Sequence, residues 1–349
     1  MVILGADLHK RSHTVVAVDE QGRKLGETTI AATPDGHLEL RRWAARWPDR
    51  RWALEDCRHL SRRLEADLVR AGEAVARVPP KLMAGVRRSV REPGKSDPID
   101  ALAVARAALA NPDLPAASLD GPEREIRLLV DHREDLVAER TRDIARLRWH
   151  LLELGIDEPS ARSLDRIRTQ TELAVRLADA PGTTGRLARA LLERVRTASD
   201  EIRSLEREIA GIASALAPNL LALPGCGPLT AAKIVGETAG IGRFRSKEAF
   251  ARHNGTAPVP VWSGNVTRHR LSRGGNRQLN VALHRIAITQ MRIDERGRAY
   301  VEHRRAAGDT KTEAIRALRR RISDEVFRRL SADENGRLQA AATVMAAAA

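Results

Sequence analysis

At 349 residues and a formal charge of +14, the chain is long enough for two or three cored domains, and its basic excess selects a polyanion, nucleic acid first, as partner. Aromatic residues make up only 3%, which argues against base stacking as the main binding mode and leaves contacts to phosphates. Two distant cysteines, Cys57 and Cys226, exclude a Cys-based zinc site within the chain, and no apolar run approaches membrane-spanning length, which fits a soluble protein of a reducing cytoplasm with no membrane partner.

Residues 2–8 (VILGADL), 13–19 (HTVVAVD) and 24–31 (KLGETTIA) read as three short strands, with a hairpin turn near Gln21-Gly22. A helix follows at 37–47, then a strand at 51–55 (RWALE), an amphipathic helix at 59–71 and a strand at 74–78 (AVARV). After Pro79-Pro80 the pattern predicts a helix over 81–90 and another over KSDPIDALAVARAAL, residues 95–109. Strands followed by alternating helix and strand predict an α/β domain: a mixed sheet flanked by helices.

Four acids stand out in this domain. Asp7 lies inside an apolar strand and Glu55 ends another, and a carboxylate on a buried strand is costly unless paired or bound to a cation. Asp97 and Asp100, at i and i+3, share one face of the first turn of an alanine-rich helix. Helix capping accounts for that pair as well: Asp97 as N-cap, Pro98 at N1, Asp100 at N3 near the positive end of the helix dipole. Taken with Asp7 and Glu55, however, the four make the RNase H/RuvC-type arrangement, in which carboxylates hold Mg²⁺ at the end of a sheet for phosphoryl transfer. His9 and His13 straddle a strand boundary, which argues against a metal site on that pair.

Residues 112–122 (PDLPAASLDGP) read as a linker. Beyond it Val130, Val137, Ile144 and Leu151 recur at seven, and Leu191, Val195, Ala198, Ile202, Leu205, Ile209, Ile212 and Leu216 alternate in threes and fours. This is coiled-coil spacing, open to two readings: a helical hairpin packed on its own chain, or dimerisation helices. Residues 220–235 (LLALPGCGPLTAAKIV) read as helix, glycine turn, helix, and resemble a helix-hairpin-helix element in which Gly225 and Gly227 expose backbone N–H groups to a phosphate. An ordinary turn would look the same.

A second chemical centre falls in residues 250–285. Ser263 sits in a Trp-Ser-Gly turn, followed by Arg268, His269, Arg270, Arg273 and, after two glycines, Arg277. These arginines suit contacts to a nucleic-acid backbone. A serine among them can act as nucleophile toward a phosphodiester, whereas Ser-Gly ordinarily just makes a turn. From residue 310 a basic amphipathic helix follows, and the alanine-rich end is expected to fray.

These pieces resemble, over nearly the whole chain, the DEDD-type insertion-sequence transposases of the one-ten group, also described as RNA-guided bridge recombinases. The resemblance rests on GADLHK, LEDCRHLSRRL, VPPKLMAGVR, GKSDPIDALAVARAAL, LVDHREDLVAERTR, LPGCGPLTAAKI, FARHNGTAPVPVWSGN and HRLSRGGNRQLNVALHRIAITQ, in this order. It implies a RuvC-like domain with Asp7, Glu55, Asp97 and Asp100 as Mg²⁺ ligands, and a mainly helical C-terminal domain whose Ser263 attacks DNA to give a phosphoserine intermediate. It also implies dimers pairing into tetramers, double-stranded donor and target DNA, and a structured noncoding guide RNA, all in the bacterial cytoplasm at the nucleoid. The corresponding boundaries are 1–111 for the catalytic domain, 112–217 for linker and coiled coil, 218–332 for the C-terminal domain, and 333–349 for the tail. Two other readings compete: a metal-dependent nuclease of the Holliday-junction-resolvase kind using only the acids, and a catalytically silent nucleic-acid-binding protein.

Overall fold

The computed structural model describes residues 1–56, 59–80, 82–83, 86, 96–117, 121–263, 266–270 and 274–348, without the side chains of 261–263, 266–270, 341, 344, 345, 347 and 348. The chain packs as two compact units, one made of residues 1–121 and 239–349 and the other of residues 122–238.

The first unit opens with β1 (Val2–Leu8), β2 (Ser12–Val18) and β3 (Lys24–Ala31), an antiparallel meander. Its second turn is set by Asp19, whose carboxylate accepts from the amides of Gln21 and Arg23, and by Gly22 at φ +75°. Helix α1 (Pro34–Ala44) leads to β4 (Arg50–Glu55), helix α2 (Arg62–Arg70) to β5 (Val75–Val78), and α3 spans Asp97–Leu109. Strands β4 and β5 add in parallel, so the sheet order is β3-β2-β1-β4-β5. This mixed sheet with helices on both faces is the α/β arrangement that the pattern predicts. The helix expected over 81–90 lies largely outside the described residues.

Alternation along the strands sorts two cores. Leu4, Ala6, Leu8, Val15, Ala17, Trp52 and Leu54 pack beneath α1 and α2; Ile3, Val16, Val18, Ala53 and Val78 pack beneath α3. Helix α3 lies unusually close to the sheet. A Cβ on Gly5 would come within 2.4 Å of Ala101 O and of Ala105 N, so strand and helix touch backbone to backbone. Only glycine on the strand and alanine on the helix permit that approach.

The second unit contains α4 (Pro122–Glu153), a 3₁₀ turn (Ser163–Asp165), α5 (Ile167–Leu177), α6 (Gly182–Leu216), the single turn α7 (Pro218–Leu221) and α8 (Pro228–Thr238). Ile144, Leu147 and Leu151 of α4 pack with Leu192 and Val195 of α6 and with Leu173 and Leu177 of α5. Of the repeating positions, Val130, Ile144, Leu151, Val195, Ile202, Ile209 and Leu216 are buried within the chain, whereas Val137, Leu191, Ala198, Leu205 and Ile212 are half-buried. Helix α8 packs against both long helices, where Lys233 of α8 bonds Glu134 at 2.8 Å and lies 3.5 Å from Asp131.

Residues 239–349 complete the first unit with α9 (Lys247–His253), a hairpin of β6 (Val259–Ser263) and β7 (Val266–Arg270), α10 (Arg277–Ile293), α11 (Glu295–Ala306) and α12 (Lys311–Ala348). Helix α12 continues through the alanine-rich residues for which composition led us to expect a frayed end. This part seats against the linker after α3 through Arg245, which pairs with Asp113 at 2.7 Å. Among the described residues, no helix is long and apolar enough to cross a membrane.

Candidate active site

The acids converge because of sheet topology. Strands β1 and β4 run parallel with Ala6 opposite Leu54, so Asp7 and Glu55 come next in register at the same end of the sheet. Both belong to the α3 face. The close approach at Gly5 lays the start of α3 over that end, bringing Asp97 and Asp100 with it.

Local capping differs from the sequence expectation in a way that matters for chemistry. The N-cap of α3 is Ser96, in extended conformation, and the Asp100 amide donates to Ser96 O at 3.0 Å. Asp97 is therefore inside the first turn and its carboxylate does not cap the helix. It is 52% exposed at the side chain, while Asp7 and Asp100 are buried and Glu55 is half-buried.

Clustered carboxylates raise one another's affinity for a proton. Burial pushes the Asp7 carboxyl above its ordinary pKa, His9 opposes the shift, and the charges of Asp100 and Glu55 add to it. His9, which the sequence did not place with the acids, sits among them: its Nε2 is 3.1 Å from Asp7 Oδ2 and 3.4 Å from Asp97 Oδ1. Asp7, His9 and Asp97 offer donor atoms within 4.8 Å of one another. Hard carboxylate oxygens crowded at a partly open strand end fit a divalent cation. His13 goes to the other face, buried and stacked on His37 at a ring distance of 5.5 Å, so the two histidines do not form a site as a pair.

The serine lies on a different element. Ser263 is the last residue of β6, paired with Val266 across the hairpin end, and Val261 pairs with Arg268, Val259 with Arg270. Arg273 lies outside the described residues, and Arg277 is exposed as the first residue of α10. A buried polar brace anchors both feet of this hairpin. Asn254, fully buried, donates to Ser323 Oγ at 2.8 Å and accepts from Thr256 N at 3.1 Å and Thr256 Oγ1 at 2.6 Å. Its carbonyl accepts from Asn280 Nδ2 at 3.0 Å, and Asn280 Oδ1 accepts from Arg319 Nη1 at 2.8 Å. On the returning side Gly275 rests on Gly255, where a Cβ would come within 2.2 Å of Gly255 N, and the Asn276 amide donates to His253 O at 2.6 Å. Sequence reading missed this brace; its signal was the run of asparagines and glycines flanking the serine stretch. In the other unit, Gly225 takes φ +82° in the turn before α8, and a Cβ on Gly227 would meet open space.

Residues 4–156 match the family model of DEDD-type IS110 transposases, and residues 217–302 match the family described as Transposase IS116/IS110/IS902. The chain belongs to the IS110-type insertion-sequence transposases. The 44.8 kDa protein of insertion element IS116 of Streptomyces clavuligerus is 29% identical, covering 93% of both chains. The 42 kDa protein of IS900 of Mycobacterium paratuberculosis is 27% identical over 91% of this chain and 92% of its own. The 43.6 kDa protein of IS110 of Streptomyces coelicolor is 29% identical over 72% of this chain and 75% of its own. Among solved structures, Thermus thermophilus RuvC covers 34% of this chain and 100% of its own at 17% identity and a TM-score of 0.27. RuvC in complex with a Holliday junction covers 32% of this chain and 94% of its own at 18% identity and a TM-score of 0.25. As a member of this family the chain is an enzyme that acts on DNA, a transposase.

Proposed function

We propose that this transposase cuts and rejoins DNA through a covalent serine intermediate at a site organised by Mg²⁺. The observation that carries the reading is the convergence of Asp7, Glu55, Asp97 and Asp100 from three elements on one end of the sheet, in a chain that also carries Ser263 in a braced hairpin. Asp7, Glu55, Asp97 and Asp100 would hold the ion, which when bound would orient the scissile phosphate and make a serine hydroxyl easier to ionise. Ser263 Oγ forms a bond to phosphorus as the bond to one deoxyribose oxygen breaks. The serine ester retains the phosphodiester energy, so a hydroxyl of a second strand reclaims the phosphorus without an external energy source. Arg268 and Arg270, opposite Val261 and Val259 on the neighbouring strand, would give positive charge to the nucleic-acid backbone on the hairpin that carries Ser263, and Arg273 and Arg277 would add to it. Gly225 and Gly227, ahead of α8, offer backbone N–H groups to a further phosphate.

A structured guide RNA bridging donor and target DNA belongs to this proposal, supported by the family and by the +14 charge. So does assembly into dimers and tetramers in which one subunit's acids serve another's serine. Trp149 and Leu152, about one turn apart near the end of α4, are 72% and 63% exposed, apolar surface suited to a second copy.

Incubation with labelled donor DNA and Mg²⁺ should yield a protein–DNA adduct resistant to denaturant, absent for Ser263→Ala and for Asp100→Asn. Strand cleavage retained by Ser263→Ala without any adduct would instead mark a metal-dependent nuclease. Full activity of Asp100→Asn would remove the acids from catalysis.

A further inference from the structure

His9 is the one residue of the acid cluster for which the reading above has no role. Its backbone position is fixed independently of the acids: the His9 amide donates to Ser12 O at 3.0 Å, closing the tight turn from β1 to β2, and Leu8 pairs with His13 immediately beyond. From that turn the ring reaches back over the end of β1. Its Nε2 meets Asp7 of the strand at 3.1 Å and Asp97 of α3 at 3.4 Å. A single nitrogen carries at most one hydrogen, so it can donate well to only one of these carboxylates. Two acids from different elements aimed at one nitrogen therefore exceed what an ion pair or hydrogen bond requires.

Those spacings match another arrangement. Six ligands about 2.1 Å from a central ion stand roughly 3.0 Å apart along each edge of the octahedron. The His9 Nε2 contacts of 3.1 Å to Asp7 and 3.4 Å to Asp97 fit two such edges, and the three donor atoms lie within 4.8 Å of one another. We propose that His9 is a nitrogen ligand of the divalent ion, so that the ion is held by carboxylate oxygens together with one imidazole. This rests on the reading of Asp7 and Asp97 as metal ligands. The consequence is selectivity. Mg²⁺ takes oxygen ligands and keeps its waters, whereas imidazole suits the first-row transition ions, among which Mn²⁺ shares the preference of Mg²⁺ for carboxylate and still accepts a nitrogen ligand more readily. His9 tilts the site from Mg²⁺ toward Mn²⁺, without excluding either.

The ring is half exposed at a turn, so His9→Ala should fold as the wild type does, which urea unfolding checks. With Mn²⁺ added below the concentration of the full-length protein, electron spin echo envelope modulation of the frozen sample should show a directly bound ¹⁴N. That modulation should vanish in His9→Ala and take the ¹⁵N pattern in wild-type protein labelled with ¹⁵N-histidine, a control that needs no substitution. Calorimetric titrations should show His9→Ala losing about tenfold in Mn²⁺ affinity and less than about threefold for Mg²⁺. Mn²⁺ bound by the wild type and released by Asp7→Asn, yet without nitrogen modulation, overturns the role of His9 and leaves the acid site standing. Mn²⁺ binding unaffected by both Asp7→Asn and Asp97→Asn overturns the acid-site reading and the proposal together.

Discussion

Gly5→Ala tests how the fold sets the geometry of the site. The added Cβ would stand 2.4 Å from Ala101 O and from Ala105 N, against an ordinary contact of 3.4 Å or more. Strand and helix must therefore part by about 1 Å, since the obstructing atoms are backbone and cannot rotate away. Overpacking of this kind costs about 1–3 kcal/mol, read as a lowered urea midpoint with unchanged slope. The same displacement carries Asp97 and Asp100 about 1 Å from Asp7 and Glu55, and a misplacement of that size can cost roughly a hundredfold in rate. Cleavage of labelled donor DNA at saturating metal measures this. The double variant Gly5→Ala with Ala105→Gly provides the control. Removing the Ala105 methyl relieves only one of three close approaches and adds a helix-propensity loss of about 1 kcal/mol, so it should not rescue. A Gly5→Ala protein with wild-type stability and rate, or rescue by the double variant, would refute the backbone contact as the device that sets the acid geometry.

Two further perturbations follow from buried polar groups. Asn254→Ala strands the Thr256 and Ser323 groups that Asn254 satisfies, which should cost about 2–4 kcal/mol in urea unfolding and reduce adduct formation at Ser263 more than metal binding at the acids. His13, buried and stacked on His37, has its pKa lowered to about 4 from 6.5, chiefly by burial and then by His37, with Ser12 opposing the shift and His9 and Arg63 adding to it. The folded protein binds this proton less readily than the unfolded chain, so stability is unaffected above pH 6.5 and is lost as pH falls from there toward 4. Its ceiling is about 3 kcal/mol, from 1.36 kcal/mol per unit. His13→Leu should flatten the unfolding midpoint across that window; an unchanged pH slope would acquit His13. His253, lowered to about 3 by burial and by Arg243 and Arg77, leaves a residual slope of the same sign in that variant.

The sequence by itself determined the elements and the identity of the chemical groups. Period-two alternation and a Gly turn specify β1, β2 and β3; apolar repeats specify α4 and α6; and the two acidic strand ends with D-x-x-D name the four carboxylates, because each of these signals is local. Tertiary structure decided what those groups do to one another. Asp97 stands one position inside the N-cap, Ser96, so of its two readings capping falls away, a one-residue shift of the helix start that a local pattern does not resolve. Part of the repeat on α4 and α6, Ile144, Leu151 and Val195 among it, packs inward on one chain, a pairing that spacing leaves open because an intrachain and an interchain seam bury the same side chains. His9 joined the acids while His13, four residues on, went to the opposite face, a separation that follows from the strand pleat and the tight turn between them. The braced feet of the serine hairpin depend on Asn254 meeting Ser323 and Asn280, contacts 69 and 26 residues distant in sequence, and long-range pairing of that kind leaves no periodic trace in a single chain.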